Sequence, residues 1–339
     1  MTGPCLTAGQ VCSGQPVGNP ARAGAAGRIA SLDLARFLMA LLVIGAHGRL
    51  FVDVSYPVYF ATFVGGWARL IMPIFLMISG YYFAVQVRRG VWRWARRILV
   101  LHLVWSTIYI GAWMPLDSFS AGKAAFWYFF GAGHLWFMPA MLGGGLMLYA
   151  LRDWATRPLL LLAVALYFTG GAVQYAMDMV IDFETVAHHN ALYALPRNFL
   201  FYGFPFMALG HLMAREDVLA RVQAMARLPL FAGLLGLLAL EIYVKYVAFP
   251  HEAVFEVTLA NILVAPLIFV WLLGLENVRA APWMAPVSAA IYFVHALVLI
   301  ALEQVTGLTP SLLTLVAVAV CIPVGLGLVK INNRPLPLV

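Results

Sequence analysis

Three residues that hydrocarbon penalises stand within one apolar run, Leu32–His47: Asp33, Arg36 and His47 in LDLARFLMALLVIGAH. Each charge at a bilayer centre costs ~2.5–3.5 kcal/mol on insertion scales, so such residues are functional-site candidates by default. Eleven helical residues advance about three turns plus roughly 20°, which puts Arg36 and His47 on one helix face about 16 Å apart. An imidazole at that position suits a general base that takes a proton from an attacking hydroxyl. A guanidinium stays charged and forks two hydrogen bonds, which suits a phosphate or an acyl carbonyl. Asp33, three residues before Arg36, is within reach to orient it. The bland readings stand beside these: a His bonded to a neighbouring carbonyl, and an Arg–Asp pair that is structural. The chemical reading expects both groups to face one polar chamber.

The elements that must position these groups are membrane helices. The chain has 339 residues, 63% hydrophobic and 10% charged, against about 25% charged in soluble domains. Apolar segments recur about ten times, near 30–48, 69–87, 98–114, 134–151, 158–176, 198–214, 228–247, 256–275, 284–303 and 310–330. The expectation is an all-α, polytopic bundle of about ten transmembrane helices. An aromatic, glycine-containing stretch at 56–68 reads as an interfacial or re-entrant piece. Most of the 21 Lys and Arg fall on the side of the N-terminus, so both termini are expected in the cytoplasm. The net charge of +7 therefore reports topology and does not imply a nucleic-acid partner. Residues 1–27 read as a disordered tail, 28–331 as the membrane domain and 332–339 as a short cytoplasmic tail. Cys5, Cys12 and Cys321 are scattered and suggest neither a disulfide framework nor a zinc site. Gly143–Gly145 lacks the following Lys-Ser/Thr of a phosphate loop and reads as a place of close helix approach.

At this point the chain resembles a known family. Arg28–His47 is similar to the opening of the membrane-bound acyltransferase-3 family, in which a Leu-Asp pair precedes an Arg, ten residues and a His; here these are Leu32, Asp33, Arg36 and His47. Arg69–Gly80, RLIMPIFLMISG, resembles the family segment R-x-x-x-P-x-F-x-x-x-S-G. Arg93–Arg97 resembles its basic cytoplasmic stretch, without the aromatic-Pro pair that many relatives carry just after it. His134–Phe137, HLWF, and Ile291–His295, IYFVH, resemble two later landmarks. The resemblance implies about ten helices and acyl transfer, usually of acetyl, onto carbohydrate. In plan the chain resembles the stand-alone members, so no appended esterase-like domain is expected.

On that footing His47 is expected to be the catalytic base, with Arg36 and Asp33 beside it. Arg93, Arg96 and Arg97 are expected to hold the phosphates of acetyl-coenzyme A, the acyl donor. Topological retention and lipid headgroups explain such arginine clusters equally simply, and Arg88 and Arg89 are read that way. Arg69 either snorkels to the interface or lines the acceptor cavity. His134 and Trp136, and Tyr292 and His295 in the ninth span, are candidates for contact with the substrate, against the alternative of interfacial or packing residues. Ser79 is read as a packing residue. His188 and His189, near Asp182 and Glu184, lack helical i, i+4 spacing, so no metal is expected. The resulting function is an acetyl-CoA-dependent O-acyltransferase acting on a cell-surface or lipid-linked carbohydrate, in contact with membrane lipid, multi-pass in a bacterial cytoplasmic (inner) membrane. The rivals are a transporter or flippase for a lipid-linked sugar, which ought to show an inverted repeat, and acyl transfer to a non-sugar acceptor.

Overall fold

A computed structural model describes residues 28–113, 120–180, 189–249 and 255–331. The expected tails at 1–27 and 332–339, and the loop bearing Asp182, Glu184 and His188, lie outside the described residues, as does the side chain of His189. Hydrocarbon offers the backbone no hydrogen bonds, so each crossing segment must satisfy its own, and among the described residues the regular structure is helical throughout. The helices are α1 (Ala30–His47), α2 (Ile71–Tyr81), α3 (Val91–Trp113), α4 (Ala121–Phe130), α5 (Phe137–Leu151) and α6 (Thr156–Val180). They continue with α7 (Phe204–Met213), α8 (Glu216–Met225), α9 (Leu228–Ala248), α10 (Asn261–Leu273), α11 (Met284–Val305) and α12 (Pro310–Ile331).

Seven helical stretches are long and apolar enough to cross a membrane: Ala30–His47, Tyr56–Tyr81, Gly133–Leu151, Thr156–Val180, Leu228–Ala248, Met284–Val305 and Pro310–Ile331. Phe199–Met213 and Asn261–Leu273 are shorter apolar helices. The stretch 56–68 is helical apart from a bend at Gly65 and Gly66 and leads into α2. It forms a turn at Tyr56–Tyr59, a π turn at Phe60–Val64 and a 3-10 turn at Trp67–Leu70 that runs straight into α2. The basic run expected in a loop is also helical: α3 begins at Val91, so Arg93, Arg96 and Arg97 occupy its first two turns.

Small residues set the tightest contacts, as expected where apolar burial does not drive helices together. α2 crosses α7 at a reciprocal pair: a Cβ on Gly80 would strike the Met207 carbonyl, and one on Gly210 would strike the Met77 carbonyl. Each residue of the glycine run in α5 serves a different neighbour. Gly143 faces the Phe199 ring, Gly144 the backbone of Gly203, and Gly145 the Trp94 indole. α1 packs against α11 and α12, and Phe37, Ala40, Ile44, Val287, Ile291 and Ala317 form a buried cluster there. Beyond His47 the chain turns through positive φ at Arg49 and Phe51. Thr314 Oγ1 on α12 donates to the Gly48 carbonyl at 2.8 Å, and Ser311 accepts from Phe51 N at 2.9 Å. The end of α1 that carries His47 is thereby fixed to α12.

Candidate functional site

At the His47 end of the bundle the helices enclose a cavity of about 1180 Å³. That exceeds the ~300–1,000 Å³ of ordinary ligand pockets and leaves room for two reactants. Val43, Ala46 and His47 contribute from α1, Arg69 and Met72 from the entry to α2, and Trp113 from the end of α3. Lys123, Phe126 and Trp127 of α4 face them, with Gly131, Gly133, His134 and Trp136 from the turn before α5. Tyr59, Arg197, Tyr202 and Glu256 close the wall. The His47 side chain opens into this space.

His47 is one of three imidazoles that meet there. Its ring centroid lies 5.1 Å from that of His295 and 5.9 Å from that of His134, and the latter two are 4.5 Å apart. His295 comes from the middle of α11 and is fully buried. Its Nδ1 faces the carbonyls of Ile291 and Tyr292 at 3.0 and 2.9 Å and so must be a donor. His134 sits on a 3-10 turn, Gly133–Trp136, that a left-handed backbone at Gly131 and Gly133 makes possible (φ +86° and +53°). A Cβ on Gly131 would collide with the backbone of Trp136, and one on Gly133 would enter the Trp113 ring. The Tyr292 hydroxyl donates to the His134 carbonyl at 2.9 Å and pins that turn to α11.

An arginine–carboxylate–arginine triad forms the opposite wall. Glu256 accepts from Arg197 Nη1 at 2.7 Å and from Arg69 Nη1 at 3.0 Å, and Arg69 Nε donates to the Val64 carbonyl at 2.6 Å. The Arg197 guanidinium also lies over the Trp136 ring at 5.7 Å. Glu256 belongs to an extended segment between α9 and α10, a form the membrane interior tolerates when protein satisfies its backbone. Side chains do so here. Val257 N donates to Gln174, the Val257 carbonyl accepts from Lys245, and the Thr258 carbonyl accepts from Tyr167. Glu241 accepts from Leu259 N and Ala260 N, and pairs with Lys245 at 3.1 Å. Gln174, Glu241 and Lys245 thus act through Glu256 on the position of Arg69. Asn198 helps from the other side, its Oδ1 capping the π turn that follows Arg197.

Of the residues anticipated from sequence, His47, Arg69, His134 and Trp136 line the cavity, and His295 and Tyr292 support them from behind. Arg36 and Asp33 do not join them. Arg36 lies 4.0 Å from Asp33 and 5.8 Å from the Tyr82 ring centre, while the nearer partner of Asp33 is Arg28. Along the same face of α1 between Arg36 and His47 stand Met39, Ala40 and Val43, all buried, with Val43 at the cavity wall, and neither Arg36 nor Asp33 lines the cavity. Arg93, Arg96 and Arg97 belong to the Arg36 end, through Tyr82, Phe83 and the Phe83–Trp94 contact, and their side chains are exposed. Ser79 donates to the Phe75 carbonyl at 3.0 Å within its own helix and does not line the cavity. Arg197 and Glu256 are functional candidates that sequence reasoning passed over. Among the described residues no group of three or more His, Cys, Asp or Glu is arranged to hold a metal ion.

The family model described as an acyltransferase domain matches residues 29–330. The chain belongs to the acyltransferase-3 family. The match covers every element that lines the cavity, and the chain is a multi-pass membrane acyltransferase of that family. Neither the curated proteins nor the solved structures gave a match.

Proposed function

We propose that the chain transfers an acetyl group from coenzyme A to a hydroxyl of a cell-surface or lipid-linked carbohydrate, in a bacterial cytoplasmic membrane. Counting α3 with the seven long and two shorter apolar stretches gives ten spans, which return the chain to its starting side. The excess of Lys and Arg then sets both termini in the cytoplasm. In that orientation the arginines of α3 and Arg36 meet cytoplasmic coenzyme A, and the cavity opens towards the outer face.

The observation that carries the reading is His47 lining a cavity walled by Tyr59, Trp113, Trp127 and Trp136 and by Arg69. Flat aromatic faces receive the apolar face of a sugar ring, and the imidazole takes the proton of the hydroxyl that attacks the thioester carbon. The carbon–oxygen bond forms, the carbon–sulfur bond breaks, and the departing thiolate regains the proton. The thioester arm has to run from the Arg36 end past Met39 and Ala40, both buried, to reach His47.

The test uses membranes from the source strain, with and without this protein, supplied with coenzyme A carrying a labelled acetyl group. Base-labile label in the glycan fraction, present only with the protein, supports the reading. A protein that leaves the thioester intact while moving a labelled lipid-linked sugar across the bilayer would replace it with a transporter. Label in lipid or amine and not in glycan would retain acyl transfer and change the acceptor.

A further inference from the structure

The cavity lining is unbalanced in charge. Among the described residues three cations line it, Arg69, Lys123 and Arg197, against one carboxylate, Glu256. This excess stands at the His47 end, away from Arg36 and the arginines of α3, which the reading above gives to the phosphates of coenzyme A. Positive charge in a membrane-embedded cleft is costly until a counter-charge meets it. Glu256 meets two guanidiniums and can balance only one of them.

The donor atoms show what is left over. Arg69 gives Nη1 to Glu256 at 3.0 Å and Nε to the Val64 carbonyl at 2.6 Å. Arg197 gives Nη1 to Glu256 at 2.7 Å, and its Nε is sealed within the protein. The Nη2 amino groups differ from these. Neither has a hydrogen-bond partner among the described residues, and neither is sealed, so each guanidinium keeps one donor open towards the cavity it lines. Because both arginines are tied to the same carboxylate, these two donors stay on one wall. Lys123 enters from the first turn of α4, exposed, with its Nζ 5.2 Å from the Trp127 ring centre. The Arg197 guanidinium lies 5.7 Å from the Trp136 ring centre, so cation and aromatic surface adjoin on two walls. A neutral sugar uses the aromatic walls and leaves the charge excess unmatched. A sugar that carries a carboxylate or a phosphate uses both, since guanidinium donors suit either oxyanion.

We propose that Arg69, Arg197 and Lys123 form an anion subsite that selects an acceptor carbohydrate bearing a carboxylate or phosphate group. The inference rests on the acyl-transfer reading above and narrows its acceptor from carbohydrates in general to acidic ones. It also divides the cations of the bundle between the two reactants, the Arg36 end serving the donor and the His47 end the acceptor. The subsite adds no covalent step: it holds the charged substituent while a hydroxyl of the same glycan meets His47. The substituent is charged before, during and after transfer, so the contact acts on acceptor binding and appears in the acceptor KM. A cleft of one sign also draws an anionic partner in.

The experiment uses the full chain in phosphatidylcholine nanodiscs, acetyl-labelled coenzyme A, and the glycan fraction of a source strain that lacks this protein. The glycan is supplied as isolated, after amidation of its carboxylates, and after removal of its phosphates. At subsaturating glycan, one of the two treatments is expected to reduce transfer at least tenfold, and which one identifies the group. Arg197→Gln and Lys123→Gln are each expected to raise the KM for untreated glycan about tenfold, the usual effect of losing a charge-assisted contact, with the KM for acetyl-coenzyme A unchanged. Lys123 is exposed, so its variant carries the test if Arg197→Gln does not fold. Equal transfer to all three forms of the glycan overturns the proposal. So does an unchanged glycan KM in the Lys123 variant, or a rise in the coenzyme A KM in its place, which would give these cations to the donor. Absence of label with wild type and untreated glycan is a different result, because it overturns the acyl-transfer reading itself.

Discussion

Replacing Glu256 by Gln removes the one anion from a wall that otherwise presents two guanidiniums. The Glu256 side chain is 9% exposed, and those of Arg69 and Arg197 are 20% and 18% exposed, so solvent screens the triad little. The figure that applies is the ~3–5 kcal/mol for stripping one partner from a buried ion pair, not the ~0–1 kcal/mol of surface pairs. Gln keeps one carbonyl that can take one of the two donors at 2.7 and 3.0 Å, so the loss is expected near the lower end, about 3 kcal/mol. Arg197 Nε has no partner among the described residues, so its guanidinium depends on Glu256 more than Arg69 does, which also holds the Val64 carbonyl. The assay is equilibrium unfolding in mixed micelles for Glu256→Gln, Arg197→Gln and the double variant. The two single losses should overshoot the double by about 1–3 kcal/mol. Additive single variants would refute the triad as a buried, coupled unit.

Further outcomes follow from the packing and from the two ends of the bundle. Gly210→Ala should cost about 1–3 kcal/mol, because its Cβ meets the Met77 backbone; Gly233→Ala in α9, with nothing within 4 Å, should be neutral or stabilise by up to ~1 kcal/mol. Arg96→Ala should raise the apparent KM for acetyl-coenzyme A about tenfold, the value of one charge-assisted hydrogen bond, with little change in maximal rate; an unchanged KM removes Arg96 from the donor site. Tyr292→Phe should cost about 1 kcal/mol through the lost bond to the His134 carbonyl and should slow transfer; a faster or equally fast enzyme would show that this anchor is dispensable.

Much of this arrangement is legible in the linear chain, and the illegible part has a common cause. Intramembrane cost flags His47 and Arg36, and helical periodicity puts them on one stripe, because both depend on residues a few turns apart. Whether a stripe faces one chamber depends on what lies between, and Met39, Ala40 and Val43 read as ordinary apolar helix residues until their burial is seen. Arg197 and Glu256 escape for another reason. Their bond joins residues 59 apart and the Arg69–Glu256 bond residues 187 apart, so no local spacing hints at either. A signal was present nonetheless: Glu241 and Lys245 stand i, i+4 in the apolar run that becomes α9. The rule that singled out the first span applies equally to them and leads to the Glu256 segment they hold. Charge composition concealed the start of α3, whose arginines read as loop although helical turns accept them readily at the end of a span.

The central claim is that acyl chemistry occurs at His47 within the aromatic cavity. It is tested most directly by base-released acetate from the surface glycans of cells carrying wild type or His47→Gln at equal membrane abundance. The account predicts ester at the wild-type level in the first and at least a ~10²-fold loss of transfer rate in the second. Equal acetylation in both strains would contradict it.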